Sequence, residues 1–239
     1  MRSPCGIGLV DSCLHCQMRA EEFFCDLPED ALREFESLKL SHLYPKGTIL
    51  FLEGSTAHGV YMLCQGRVKL STCSREGKVM IIHLAGPGEV LGLSATISQL
   101  PYEVTAETME PCQANFVRNT DFSRFLRHHP EASLRVARQL SRNYHQAYVQ
   151  VRSLGLSASA AEKLARLLLR RCEETGNMDG QSVQLKLGLT HEEIGEMIGA
   201  SRETVSRLFK DFREKEILSV KGAQLIIPDT RRLESFLSV

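Results

Sequence analysis

The sequence predicts an α+β protein in three parts: an antiparallel β-barrel or jelly roll, one long helix, and a small helical domain closed by a hairpin. Three observations carry this. From Ser41 to Arg118, turn residues interrupt short alternating runs roughly every 10–12 residues with no helical period between them. From Pro130 onward, apolar residues recur at spacings of three and four along a single continuous stretch. From Thr190, two capped helices follow one another and lead into an alternating hairpin.

Bulk properties bound the reading. The 239 residues are 43% hydrophobic and 24% charged, the balance of a globular protein, and are enough for one large or two modest domains. No apolar run approaches the roughly 20 residues of a membrane span. The N-terminal MRSPCGIGLVDSCLHC lacks the basic-then-apolar plan of a secretory signal, so a cytoplasmic protein without a membrane partner is expected. Net charge is zero, which argues against indiscriminate polyanion binding. Eight cysteines in such a chain are not expected to form disulfides. Four of them, Cys5, Cys13, Cys16 and Cys25, crowd the first 25 residues, and that crowding calls for an explanation.

In chain order, residues 1–27 form a cysteine-rich arm. Residues 28–129 form the barrel, entered through an amphipathic helix, PEDALREFESL. The strand runs TILFLE, VYMLCQ, RVKLST, VMIIHL and QANFVR are separated by Pro45-Lys46-Gly47, Glu53-Gly54, Gln65-Gly66, Glu76-Gly77 and Gly86-Pro87-Gly88. Asp121 to His128 is a short helix. His128-His129 stands at its end before Pro130, as a capping or solvated pair. Residues 130–156 form the long helix, on which Leu134, Ala137, Leu140, Tyr144, Ala147, Val151 and Leu154 make a narrow heptad-like seam flanked by Arg135, Arg138, Arg142 and Arg152. A seam of this kind is either a dimer coiled coil or a helix packed along its own barrel.

Residues 157–239 form the last domain. Gly155 to Ser159 reads as a hinge, Ala160 to Cys172 as a helix and Gln181 to Leu187 as a strand. Thr190 with Glu193 is a capping box. Gly199-Ala200 breaks the first helix, and Ser201 caps the next, whose apolar face is Val205, Leu208, Phe209 and Phe212. The opposite face carries Arg202, Glu203, Ser206, Arg207 and Lys210. Arginine can grip guanine O6 and N7 in a bidentate fork, and glutamate can accept from cytosine N4. Leu218 to Ile227 alternates around Lys221-Gly222 as a wing. This is a winged helix-turn-helix equipped to read double-stranded DNA, with Arg202, Glu203, Ser206 and Arg207 at base edges and Thr190, Ser201, Thr204 and Lys221 around them. Such readers bind two half-sites of an inverted repeat as homodimers, which favours the coiled-coil reading of the seam. Leu140, Tyr144, Ala147, Val151 and Leu154 are then the dimer interface. No nucleophile–base pair, phosphate-cradling loop or metalloprotease motif points to an enzyme.

This order of barrel, long helix and winged helix-turn-helix resembles the CRP/FNR family of transcription regulators over essentially the whole chain. The resemblance lies in Gly47 of PKGTILFLEG, Gly66 of LCQGRVKL, the GPGEVLG turn, RETVSR and REKEILSVKG. It implies a cyclic-nucleotide-binding-like jelly roll and RNA polymerase as a partner. Where the family's nucleotide sensors carry an Arg-Ser pair, this chain has Leu100-Pro101 or Tyr102-Glu103. A carboxylate there would repel a phosphate, so a cyclic nucleotide is not the expected cofactor.

The FNR-type iron–sulfur branch is the more similar one. It holds a [4Fe–4S] cluster through a Cys-x2-Cys, a third N-terminal cysteine and a cysteine in the barrel. By that resemblance the metal ligands are Cys13, Cys16, Cys25 and Cys112 of AETMEPCQANF, with oxygen or redox state as the signal. IHLAG (82–86) also resembles this branch, although eight residues between Cys16 and Cys25 make a longer gap than in its best-known members. Zinc through the same four residues, or a thiol-based redox or nitric-oxide sensor, are the alternatives. His15 could replace one ligand. Cys64, Cys73 and Cys172 are expected to be buried small hydrophobes. In RETVSR, the Glu and final Arg are common to the family, while Ser206 is of the FNR type and Arg202 of the CRP type. The expected half-site is therefore TTGAT or TGTGA.

Overall fold

Turn glycines and alternating strands build the first part of the molecule. A computed structural model of the chain describes residues 7–16, 24–156, 159–174, 182–222 and 224–237. Helix α1 (Glu29–Leu38) precedes eight strands: β1 (Leu40–Tyr44), β2 (Ile49–Phe51), β3 (Gly59–Gln65), β4 (Val68–Cys73), β5 (Val79–Ala85), β6 (Val90–Leu91), β7 (Thr105–Thr108) and β8 (Cys112–Arg118). The helix α2 (Leu93–Ser98) interrupts them after β6. The strands form two antiparallel sheets, ordered β1-β8-β3-β6 and β2-β7-β4-β5. That pairing is a jelly roll, which resolves the expected barrel-or-jelly-roll alternative.

Alternation along β3 and β8 gives the first sheet two working faces, because directly paired residues share a face. Val60 pairs with Val117 and Met62 with Asn115, whereas Tyr61 pairs with Phe116 and Leu63 with Ala114. The inner face helps form the core between the sheets, with Leu63, Val68, Leu91, Ala106 and Cys112. The outer face is covered by helices. Val60, Met62 and Val117 pack there with Leu32 and Phe35 of α1, and with Phe122 and Phe125 of α3 (Asn119–His128). Phe24 of the arm completes this second core, its ring 5.6 Å from Phe35 and 5.8 Å from Phe122. The pairing slips between Leu63 and Gln65, so Cys64 sits in a β-bulge.

Helix α4 (Pro130–Leu156) lays Ala132, Val136 and Gln139 on this core. The buried Gln139 amide clasps the Val90 backbone, donating to its carbonyl at 2.8 Å and accepting from its N–H at 3.0 Å. The chain folds as two compact units, Met1–Gln146 and Ala147–Val239, and the division falls inside α4 rather than at its ends. Residues 157 and 158, the middle of the expected hinge, and residue 181, the start of the expected strand, lie outside the described residues.

The second unit contains α5 (Ala160–Glu174), β9 (Val183–Leu185), α6 (His191–Ile198), α7 (Arg202–Glu214), β10 (Ser219–Lys221), β11 (Gln224–Ile227) and α8 (Arg231–Glu234). Its sheet order is β10-β11-β9, and its core gathers Leu164, Leu168, Ile194, Val205, Phe212 and Ile227. Both ends of α6 follow the sequence signals. Thr190 and Glu193 form a complete capping box, and Gly199 caps the C-terminus at φ +68°. Gly195 is needed for close approach: a Cβ there would stand 2.6 Å from the Ala200 carbonyl oxygen. Helices α2 and α8 were not expected. Each is a turn or so long, too short for a period to show. No helix among the described residues is long and apolar enough to cross a membrane.

Candidate functional site

The cysteine-rich arm is stitched to the jelly roll. Gln113, on the outer face of β8, holds the Val10 backbone as a neighbouring strand would, through two hydrogen bonds of 2.8 Å. Glu36 of α1 accepts from the Cys13 N–H at 2.9 Å, and Lys39 donates to the Asp11 carbonyl at 2.6 Å. Phe24 N–H donates to the Gly88 carbonyl at 3.1 Å. Asp26, next to Cys25, pairs with Arg135 of α4. These ties bring Cys13, Cys16 and Cys25 to one pocket.

The fourth cysteine of that pocket is Cys64. Its other lining among the described residues comes from Val10, Ser12, Phe35, Met62, Leu63, Gly88 and Asn115, none of them charged. Burial first, then the neighbouring thiols of Cys13, Cys25 and Cys16, push the Cys64 thiol up to about 12. Burial likewise raises Cys13, against the lowering influence of Lys39. Asn115 Nδ2 donates to Cys64 Sγ at 3.1 Å, and Asn115 Oδ1 is buried with no hydrogen-bond partner among the described residues.

Cys112, expected beside Cys13, Cys16 and Cys25, does not line this pocket. It opens β8 with its side chain on the inner face, in the core between the sheets. Its Sγ donates to the Arg67 carbonyl at 3.3 Å and the Glu110 carbonyl at 3.2 Å, and burial pushes this thiol up to about 11. It packs so tightly on Gly66 that a Cβ there would lie 2.5 Å from the sulfur. Two other expectations also change. Cys64 packs on the outer core but is only half-buried and lines the pocket, and Cys73 is exposed, while Cys172 is buried as expected. Cys5 lies outside the described residues.

A [4Fe–4S] cube needs four converging thiolates. Among the described residues, no three His, Cys, Asp or Glu side chains stand at metal-ligand spacing. The pocket still fits such a group in kind. Four thiols line it, and among the described lining residues there is no carboxylate that would suit a hard cation. His15 does not line the pocket; its Nδ1 lies 3.4 Å from Ser12 Oγ.

The segment expected to depart from a nucleotide site gives up its one aromatic side chain to the core. Tyr102 stacks on Phe51 at 4.0 Å and donates to the Gly59 carbonyl at 2.6 Å. Leu100 and Glu103 are exposed, and Gln99 to Val104 contains no Lys or Arg.

On the nucleic-acid side, Ser201 caps α7 by accepting from the Thr204 N–H at 3.2 Å. Arg202, Glu203, Ser206 and Arg207 project from the first turns of α7 and are all exposed, as are Thr190, Ser201 and Lys221, while Thr204 is half-buried. Glu203 sits over the start of α7. Its own backbone N–H, then the Ser201 hydroxyl, hold its carboxyl below the usual range. Ser206 is engaged by His191, whose Nδ1 is 2.8 Å from Ser206 Oγ and whose ring stacks on Phe209 at 4.8 Å. His191 carries no motif in the sequence; only the crossing of α6 and α7 brings it to the reading face.

Of the seam on α4, Leu140 packs partly on the outer core. Tyr144, Ala147 and Val151 are exposed, Tyr144 at 76% and Val151 at 68%, with Tyr148 at 56% beside them. Leu154 is half-buried and lies beside Gly199. Among the described residues, then, the middle of the seam is exposed.

A jelly roll joined by a long helix to a winged helix-turn-helix is the build of a signal-responsive DNA-binding regulator. Comparison with known proteins agrees. Residues 41–129 match the cyclic nucleotide-binding domain, and residues 162–236 match the Crp-like helix-turn-helix domain. The CRP-like cAMP-activated global transcriptional regulator of Mycobacterium tuberculosis is 25% identical over 190 residues, covering 80% of this chain and 84% of that protein. The cAMP-activated global transcriptional regulator CRP of Salmonella typhimurium is 26% identical over 196 residues, covering 80% and 90%. Among solved structures, a CooA mutant from Carboxydothermus hydrogenoformans superposes with a TM-score of 0.75 at 24% identity, over 97% of this chain and 98% of that one. FixK2 from Bradyrhizobium japonicum gives 0.73 at 21%, over 84% and 98%. The chain belongs to the CRP/FNR family of DNA-binding transcription regulators.

Proposed function

We propose that this regulator is a cytoplasmic homodimer that reads an inverted-repeat DNA site, and that its N-terminal unit carries a [4Fe–4S] cluster responding to oxygen or redox state. The observation that carries the sensor half is the largely apolar pocket, where Cys13, Cys16 and Cys25 of the arm meet a thiol of the jelly roll with no carboxylate among the described lining residues. Three N-terminal thiolates and one from the jelly roll would hold the group, and when bound it supplies an oxygen-labile link between arm and jelly roll. Arm position reaches α4 through Asp26, the neighbour of Cys25, which pairs with Arg135, while Gln139 ties α4 to the jelly roll at Val90.

The unpartnered Tyr144, Ala147 and Val151 support the dimer, since an exposed apolar stripe on a long helix seeks a second copy. The exposure and polarity of Arg202, Glu203, Ser206 and Arg207 support base reading, with Thr190, Ser201, Thr204 and Lys221 as flanking contacts. RNA polymerase is the partner that a regulator of this build addresses.

Zinc through the same thiolates is the alternative within this reading. A cyclic nucleotide is the second reading. It is favoured by the match of residues 41–129 and by the relatives' names, and opposed by the Gln99–Val104 side chains. Anaerobic purification with iron, sulfide and zinc analysis tests the proposal. About four iron and four sulfide per protomer are expected. Protein that binds neither iron nor zinc, yet gains DNA affinity with a cyclic nucleotide, would overturn it.

A further inference from the structure

We propose that Cys64 is the jelly-roll ligand of the thiolate site, together with Cys13, Cys16 and Cys25, that Asn115 is its hydrogen-bonding support, and that Cys112 takes no part. This rests on the reading of the N-terminal unit as a thiolate-ligated sensor and fixes which residues make the site.

Sheet geometry decides between the two jelly-roll cysteines. Cys64 stands on the face of β3 that the arm covers, two residues on from Met62 and four from Val60, at a bulge in the pairing with β8, and it lines the pocket. Cys112 stands on the opposite face of β8. Because side chains alternate with period two, bringing Cys112 to the arm would require β8 to slip by one residue. That slip would carry Gln113 away from Val10 and Asn115 away from Cys64, and would bury their amides in an apolar core.

Asn115 adds an independent pointer. It is 1% exposed and lines the pocket, yet among the described residues only one end of its amide is satisfied, by the Cys64 sulfur. An N–H donor fixed on a sulfur is the support that a metal-bound thiolate uses to set its orientation and electron density. A purely structural cysteine would not require a buried amide half-satisfied beside it.

Two four-cysteine variants test this by iron and sulfide content after anaerobic reconstitution. One keeps Cys13, Cys16, Cys25 and Cys64, with the other four cysteines changed to alanine. The second keeps Cys13, Cys16, Cys25 and Cys112. The first is expected to load as the wild type does, and the second to lose the cluster, with both apo forms unfolding cooperatively in urea. Asn115→Ala is expected to load but to bind iron about 10–100-fold more weakly, with a shifted reduction potential that a packing defect alone would not produce. If the second variant loads and the first does not, Cys64 is excluded while the sensor reading stands. If the wild type takes up neither iron nor zinc, both fall. If it takes up zinc alone, the same pair of variants loaded with zinc decides the ligand.

Discussion

His129 shows how a single side chain joins three helices. It caps α3 from a buried position, with Nε2 3.0 Å from Glu34 of α1 and Nδ1 3.1 Å from Glu131 of α4. Only the protonated ring can donate to both carboxylates. Burial alone would lower its pKa, but the hydrogen bonds and charges of Glu34 and Glu131 outweigh that and raise it. The sequence suggested a capping or solvated pair at His128-His129; the first holds for His129 and the second for exposed His128. A raised value means that the ring's contribution to stability is complete below the ordinary 6.5 and is lost as pH climbs through the folded-state value. His129→Gln should therefore flatten the decline of unfolding free energy above that pH, as measured by urea melts across the range. An unchanged profile would show that the bridge is idle. At the DNA face, Arg207→Ala should cost about 1–3 kcal/mol and relax selectivity at one base pair, whereas Lys221→Ala should weaken all sequences alike and shrink the salt slope. Site selection with Arg207→Ala that returned the wild-type motif at full affinity would remove Arg207 from the reading set.

Among the elements, α4 carries the dimer proposal. Its buried stripe of Ala132, Val136 and Gln139 is spent on the jelly roll, and Tyr144, Tyr148 and Val151 are left over. Val151→Glu would place an unpaired charge in a seam of two copies, a costly burial. The variant should sediment as a monomer at low micromolar concentration, and a persistent dimer would assign the interface elsewhere. The elements themselves were largely legible, because turn glycines, caps and apolar periods are local signals. The capping box at Thr190 and the alternation in VYMLCQ could be read directly. The choice between Cys64 and Cys112 could not. Each strand's alternation shows on its own, but which face of β8 matches which face of β3 depends on pairing across some fifty residues and on the bulge at Cys64. His191 escaped for the same reason, since its partner Ser206 is 15 residues away on another helix.

Across the whole molecule, the family resemblance pointed to a jelly roll, a long helix and a DNA reader, and of the four cysteines it suggested as ligands the sheet register sets Cys112 on the face away from the other three. The coupling implied by the contacts runs from the arm thiols through Cys25 and Asp26 to Arg135 on α4, and so to the helix proposed to hold two readers at a fixed spacing. The measurement that tests this most directly is the DNA affinity of one anaerobically loaded sample, taken before and after brief air exposure at constant salt. The proposal predicts that affinity for the inverted repeat falls when iron is lost, in step with dissociation of the dimer. Equal affinity and equal dimerisation with and without iron would contradict it.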